Sequence, residues 1–114
     1  EYTKDSSVSL ISRHMVGYAC FQLVADEIHL LKIAVEPEWR RQGVATFLLG
    51  RSLEAAWQEG FGSVILEVRR SNTAAYTFYR NFGFDVIGVR PNYYVQDSGQ
   101  TEDAMLMRKK LKRR

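Results

Sequence analysis

Two stretches of the chain combine residue types and spacings that suit chemistry. The first is Arg40-Arg41-Gln42-Gly43-Val44-Ala45-Thr46, which follows a β-rich run and opens a segment of helical period. The start of a helix leaves backbone N–H groups unpaired and carries partial positive charge, so it suits a phosphate. Gly43 stands where the backbone must approach a ligand closely, and Arg40 and Arg41 add positive field at the mouth. The plainer reading is a glycine turn beside two solvated arginines. With no Lys-Ser or Lys-Thr after the glycine, and without three glycines, the stretch is neither a Walker loop nor a dinucleotide fingerprint.

The second stretch runs from Glu67 to Tyr79. A carboxylate inside Val64-Ile65-Leu66-Glu67-Val68 is out of character for a buried strand, so either it faces a cleft or the strand is half exposed. Glu67 also falls at the C-terminal end of that run, where ligands gather in open sheets. Downstream, Asn72, Ala75 or Tyr76, and Tyr79 recur at helical spacing on one face. That face is offset from a stripe of Ala74, Ala75, Phe78 and Phe82, which is expected to pack inward. Asn72 and Tyr79 can therefore line the same cleft as Glu67.

The elements that must position these residues follow from period and punctuation. Val8 to Ser12 is a short strand candidate with a turn near Arg13-His14. Met15 to Val24 and Ile28 to Val35 are β-rich and separated by Ala25-Asp26-Glu27, an antiparallel hairpin pattern that Pro37 ends. Ala45, Leu48, Leu49, Ser52, Leu53 and Ala56 then form one helical stripe, with Gly60 as its stop. Ser63 to Val68 reads as a central strand covered on both faces. Ser71 or Asn72 caps a second helix that Gly83 ends. Phe84 to Val89 and Ala104 to Leu111 read as final strands joined by a long polar loop. Three strands, helix, strand, helix and two strands predict a mixed sheet with helices packed on it.

At 114 residues the chain suits one domain. It has no window near the roughly 18 apolar residues of a membrane span and no secretory pattern at its start. It begins with Glu1 rather than methionine, which leaves room for a natural N-terminus upstream. The lone Cys20 cannot form an internal disulfide, which fits a reducing cytoplasm; it reads as a small core residue or, alternatively, an acyl-carrying nucleophile. The net charge of +3 belongs to the tail. Arg108 to Arg114 holds 6 of the 16 basic residues, leaving 10 against 13 acidic ones elsewhere. Such a tail is either a solvated end or a patch for nucleic acid or ribosome. His14 and His29 lack partner spacing for a metal, so no metal site is expected.

Several motifs in order then point to one family. Arg40 to Ala45 is similar to the Q/R-x-x-G-x-G/A signature of the GNAT acyl-CoA N-acyltransferases, and Leu31-Lys32-Ile33-Ala34-Val35-Glu36-Pro37 resembles their pantetheine-binding strand and loop. Leu66-Glu67-Val68-Arg69 with Ser71-Asn72, Phe78-Tyr79 and Phe82-Gly83-Phe84 resembles the RimI-type ribosomal-protein alanine N-acetyltransferases within that family. So does Asn92-Tyr93-Tyr94 followed by Glu102-Asp103-Ala104 and Met107, and the likeness runs from about Met15 to Leu111.

The resemblance implies an α/β (α+β) fold: a mixed, mostly antiparallel twisted sheet with helices packed on it. It implies one N-acetyltransferase domain over residues 1–114, with a basic tail at 108–114. The family's N-terminal strand and helices have no counterpart here, so a shortened start is expected, and dimerisation could replace the missing cover. Acetyl-CoA would be the co-substrate, without a metal. The backbone of Ile33, Ala34 and Val35 would pair with pantetheine as an added strand. The N–H groups of Arg41, Gln42, Gly43, Val44, Ala45 and Thr46 would hold the pyrophosphate, and Asn72 would hydrogen-bond the cofactor. Glu67 would accept the amine's proton and Tyr79 would protonate the departing thiolate. The implied acceptor is a protein N-terminus, that of a ribosomal protein beginning in alanine, with lysine, a small polyamine or a non-catalytic binding role as alternatives. Tyr93 and Tyr94 would grip the incoming peptide or simply pack, and Glu102 and Asp103 would attract its ammonium or form a solvated hairpin pair.

Overall fold

The computed structural model describes residues 7–11 and 15–111. The expected turn at Arg13-His14, Ser12 before it, and Lys112 to Arg114 of the tail lie outside the described residues. In chain order the elements are β1 (Ser7–Ile11), β2 (Met15–Val24), β3 (Glu27–Val35), a 3-10 turn (Pro37–Trp39), α1 (Val44–Gln58), β4 (Ser63–Arg69), α2 (Thr73–Asn81), β5 (Asp85–Val95) and β6 (Thr101–Lys110). This is the mixed α/β architecture expected from the sequence. The described residues form two compact units that divide between Val64 and Ile65, within β4, with Leu111 belonging to the first unit.

In the first unit β1, β2 and β3 form an antiparallel meander. The β2–β3 turn needs only Ala25 and Asp26, with Ala25 in the left-handed region at φ 53°. Cys20 pairs with Lys32 and Phe21 with Leu30, so Leu31 is an extra residue that bulges β3. Ala19, Phe21, Ile28 and Leu30 are buried. Cys20 alternates with Ala19 and Phe21 and so faces the other way, half-buried rather than in the core.

α1 buries Leu48, Leu49, Ser52 and Ala56 of the stripe read from the sequence, while Ala45 and Leu53 of that stripe are half-buried. The Ser52 hydroxyl donates to the Leu48 carbonyl at 2.7 Å, which satisfies a polar group under the helix. Gly60, at φ 88°, ends α1 in a Schellman motif, with Phe61 N–H bonded to Ala56 O and Gly60 N–H to Trp57 O. Gly17 on β2 lets this helix sit close. A β-carbon there would lie 2.8 Å from the Ala34 oxygen and 3.1 Å from Leu48 Cδ1. The first turns of α1 therefore rest directly on the strands that precede the Arg40 turn.

In the second unit β6 lies between β4 and β5, antiparallel to β5. Along β4, Val64, Leu66 and Val68 are no more than 4% exposed, whereas Ile65 and Glu67 are half-buried. The run expected to be covered on both faces is fully covered on one. Hydrophobicity could not reveal this, because Ile65 keeps the run apolar while sharing the more open face with Glu67. Phe84, Ala104 and Met107 complete this core.

Two expectations are corrected here. The α2 stripe of Ala74, Ala75, Phe78 and Phe82 does not become a buried face. No α2 residue is fully buried, Ala74 is exposed, and Phe78 and Phe82 are half-buried, meeting edge-to-face at 5.3 Å. The long polar loop between the last strands shrinks to residues 96–100, because β5 runs on through Tyr93-Tyr94 and β6 begins before Glu102. Polar residues and Pro91 mimic a loop in sequence, yet an irregular edge strand tolerates both.

Candidate active site

The start of α1 has the form of an anion site. Phe47 N–H makes the first helical bond, to Gly43 O at 2.9 Å, so the N–H groups of Val44, Ala45 and Thr46 precede any intrahelical partner. No side chain caps them, and the first turn holds no acid. Arg41 and Gly43 both lie in the left-handed region, at φ 63° and 82°. For Arg41 that conformation costs about 1 kcal/mol. Strain of this kind clusters at ligand clamps.

The turn is braced by its own side chains. Arg40 Nε donates to Val35 O at 3.1 Å, and Gln42 Nε2 donates to Glu38 O at 3.0 Å. Arg40 is thus partly engaged as a brace, and Arg41 is the freer source of positive field. Val35, Trp39, Arg41 and Gly43 to Thr46 line a hollow of ≈ 180 Å³. An adjoining hollow of ≈ 280 Å³ runs past Gly17, Tyr18, Ala34, Val35 and Pro37. Of the strand residues expected to meet pantetheine, Ala34 and Val35 line that hollow, and Ile33 pairs with Ala19 of β2. Trp39 was missed from sequence; its one signal was a large apolar ring in a polar turn.

The second unit gathers charge and phenols around Glu67. Its side chain is only 10% exposed, and Arg90 Nε lies 2.6 Å from Glu67 Oε2. This is an ion pair by distance, without the linear N–H···O approach of a good hydrogen bond. The Tyr93 hydroxyl donates to Glu67 Oε1 over a long 3.4 Å. The Arg90 guanidinium lies 5.6 Å from the Tyr93 ring centre and that of Arg69 4.2 Å from Tyr94, both within cation–π reach. The two phenols meet edge-on at 5.1 Å. Burial, and then the nearby Glu67 carboxylate, push the Tyr94 phenol above its ordinary pKa. Glu67, Tyr93 and Tyr94 therefore come together, and Arg90 and Arg69, which the sequence reading did not single out, join them.

Arg90 and Tyr93 are three residues apart, a spacing that puts side chains on opposite faces of a regular strand. A bulge reconciles them. Arg90 pairs with Ala104 and Tyr94 with Glu102, so Pro91, Asn92 and Tyr93 all stand opposite Asp103. Asn92 takes φ 54°, which asparagine tolerates better than most residues. Asp103 Oδ1 accepts the Asn92 N–H at 3.0 Å, its Oδ2 lies 3.5 Å from Arg70 Nη1, and Thr101 Oγ1 donates to Asn92 Oδ1 at 2.7 Å. Asp103, one of the expected ammonium attractors, thus clamps the bulge. Replacing it with alanine should lower stability by about 1–2 kcal/mol, since it removes charge-assisted bonds at a strained turn. A urea midpoint equal to wild type would mean the bulge stands without it.

Glu102 is similarly engaged. Its carboxylate accepts the Ser71 N–H at 2.6 Å and pairs with Arg69 Nη1 at 3.3 Å, tying β6 to the turn before α2. Hydrogen bonding from Ser71, and then from Arg69, holds its carboxyl below the usual range. Asn72 is the N-cap of α2, its side-chain oxygen accepting Ala75 N–H at 3.0 Å, which leaves its amide nitrogen as the donor for a ligand. Tyr79 is held by edge contacts to Phe78 at 5.3 Å and Phe84 at 5.6 Å. Its carbonyl accepts Phe84 N–H in the Schellman turn at Gly83. Burial pushes the Tyr79 phenol above its ordinary pKa, so it is a protonated donor at neutral pH.

The first unit thus holds a bare helix start beside a strand-lined hollow, and the second a recessed glutamate with phenols. The sequence pattern of the Acetyltransferase (GNAT) family matches residues 5–84. The chain belongs to that family. It is 40% identical over 93 residues to the [Ribosomal protein bS18]-alanine N-acetyltransferase of Escherichia coli K12, an alignment taking in 82% of this chain and 62% of that protein. A putative enzyme of the same description from Bacillus subtilis 168 is 36% identical over 94 residues, 82% of this chain and 60% of that one. The chain thus spans about three fifths of these relatives. The crystal structure of the Escherichia coli ribosomal-protein-S18-alanine N-acetyltransferase superposes with a TM-score of 0.86 at 33% identity, covering 99% of this chain and 74% of that one. Chaetomium thermophilum Naa20, solved with a bisubstrate analogue, gives 0.79 at 29% identity over 92% of this chain and 65% of that one.

Proposed function

We propose that this chain transfers the acetyl group of acetyl-CoA to the α-amine of a protein N-terminus, with a ribosomal protein beginning in alanine as the acceptor. The observation that carries the reading is the uncapped start of α1, whose Val44, Ala45 and Thr46 N–H groups suit a pyrophosphate. The likeness to bS18-alanine N-acetyltransferases supports the acceptor class. Such an acceptor suits a cytoplasmic protein, and no helix among the described residues is long and apolar enough to cross a membrane.

In this reading Arg41 to Thr46 hold the pyrophosphate, the backbone of Ile33 to Val35 pairs with pantetheine, and the Asn72 amide donates to the cofactor. The acceptor nitrogen attacks the thioester carbonyl carbon and the carbon–sulfur bond breaks. Glu67 takes the proton from nitrogen, and Tyr79 supplies one to the departing thiolate, so no acyl-enzyme forms. An α-amine, with a pKa near 8, needs far less help from a base than lysine near 10.4. A recessed carboxylate is adequate for that task. Tyr93 and Tyr94 offer ring faces and a hydroxyl to the peptide's first residues. Glu102, tied to Ser71 and Arg69, shapes this wall rather than binding the ammonium itself.

The test is CoA release from acetyl-CoA with an alanine-starting peptide, a lysine peptide blocked at its N-terminus, and spermidine. The expected result is a kcat/KM for the alanine peptide at least tenfold above the other two. A preference for lysine or spermidine would move the acceptor class, and no turnover with any amine would end the enzymatic reading.

A further inference from the structure

Glu67 is held by a cation of the chain's own. Arg90 Nε stands 2.6 Å from Glu67 Oε2, in the place an incoming ammonium would seek beside a recessed carboxylate. The two partners differ in freedom: the Glu67 side chain is 10% exposed and that of Arg90 55%. The carboxylate is therefore the fixed member and the guanidinium the removable one. Arg90 already lies near the Tyr93 ring, 5.6 Å from its centre, so a face is available to it once it leaves the carboxylate. The contact depends on the β5 bulge, which swings Arg90 and Tyr93 to the same side; a regular strand would offer Glu67 only one of them.

From this we propose that Arg90 is a specificity-determining residue: a built-in competitor that the acceptor's amino group must displace from Glu67. The inference rests on the reading that the acceptor amine comes to Glu67. It assigns Arg90 a task distinct from holding the fold, because a guanidinium more than half exposed contributes little to stability through a single ion pair. Its selective effect is against acceptors that bring charge but few other contacts. Those gain Glu67 only by giving up the Arg90 pair, whereas a peptide that also contacts Tyr93 and Tyr94 offsets that loss.

The full chain tests this by calorimetry with an alanine-starting peptide, in a double-mutant cycle. Arg90→Gln should tighten the peptide's Kd roughly fivefold, the equivalent of an ion pair worth about 1 kcal/mol. Arg90→Lys, which keeps the cation, should stay within twofold of wild type. In a Glu67→Gln background Arg90→Gln should change nothing, because there is no carboxylate left to contest. An unchanged or weaker Kd in Arg90→Gln overturns the proposal. So does an equal tightening in the Glu67→Gln background, which would be general charge repulsion. Turnover by Glu67→Gln at the wild-type rate would overturn the base role of Glu67, and the Kd cycle reads the competition separately from it.

Discussion

Glu67→Gln should slow acetyl transfer by about 10²-fold to 10⁴-fold while leaving the Kd for acetyl-CoA within twofold of wild type. Glutamine keeps the shape of the side chain and an oxygen for the Tyr93 hydroxyl, but it cannot take a proton. It also releases Arg90, whose guanidinium is exposed enough to turn to water, so the variant should fold normally. The lost factor corresponds to about 2.7–5.5 kcal/mol of transition-state stabilisation. An α-amine near pKa 8 is mostly ammonium at pH 7, and its proton must leave before or during attack. The deficit should therefore narrow as the pH rises through 8, because the acceptor then arrives neutral. A rate within twofold of wild type at pH 7 would remove Glu67 from the mechanism.

Tyr79→Phe should cost roughly 10²-fold in kcat, with smaller changes in either KM. The ring keeps its edge contacts with Phe78 and Phe84, so the helix end and the Schellman turn should survive. What disappears is the hydroxyl, which in the proposed mechanism supplies the proton for the departing thiolate. Burial raises the pKa of this phenol above its ordinary value of 10.0, so the protonated form persists past pH 10. As the pH increases, wild-type kcat should stay level between about 8 and 10 and fall only above that range. A decline beginning near pH 9 would mean that another group supplies the proton. A Tyr79→Phe kcat equal to wild type would show that the thiolate departs unassisted.

Local pattern carried much of this chain. The α1 stripe, the β2–β3 hairpin and the glycine stops at Gly60 and Gly83 were legible, because each depends on residues within a few positions of one another. The same holds for the turn before α1. Gly43 and the helix start are neighbours in sequence, and the hydrogen bonds that the first turn lacks follow from helix geometry alone. Glu67 stood out because one carboxylate in an apolar strand is a local anomaly. The family itself was legible from several such motifs in order, and its sequence pattern matches residues 5–84.

What surrounds Glu67 was decided by tertiary structure. Arg90 and Tyr93 should oppose each other on a regular strand, and no count of alternating residues brings both to one carboxylate. They meet because β5 bulges against β6, and that register depends on Asn92 in a left-handed conformation and on Asp103, eleven residues further on. Asp103 and Glu102 looked like free acids in a loop; the pairing of β5 with β6 turned one into a clamp and the other into a tie to Ser71. Sequence by itself determined which residues are candidates for chemistry, such as Gly43, Glu67, Asn72 and Tyr79, since residue type and short spacing are local properties. Only the fold decided which charges meet, because strand register is a long-range choice, and moving it by one residue exchanges every side chain between the two faces.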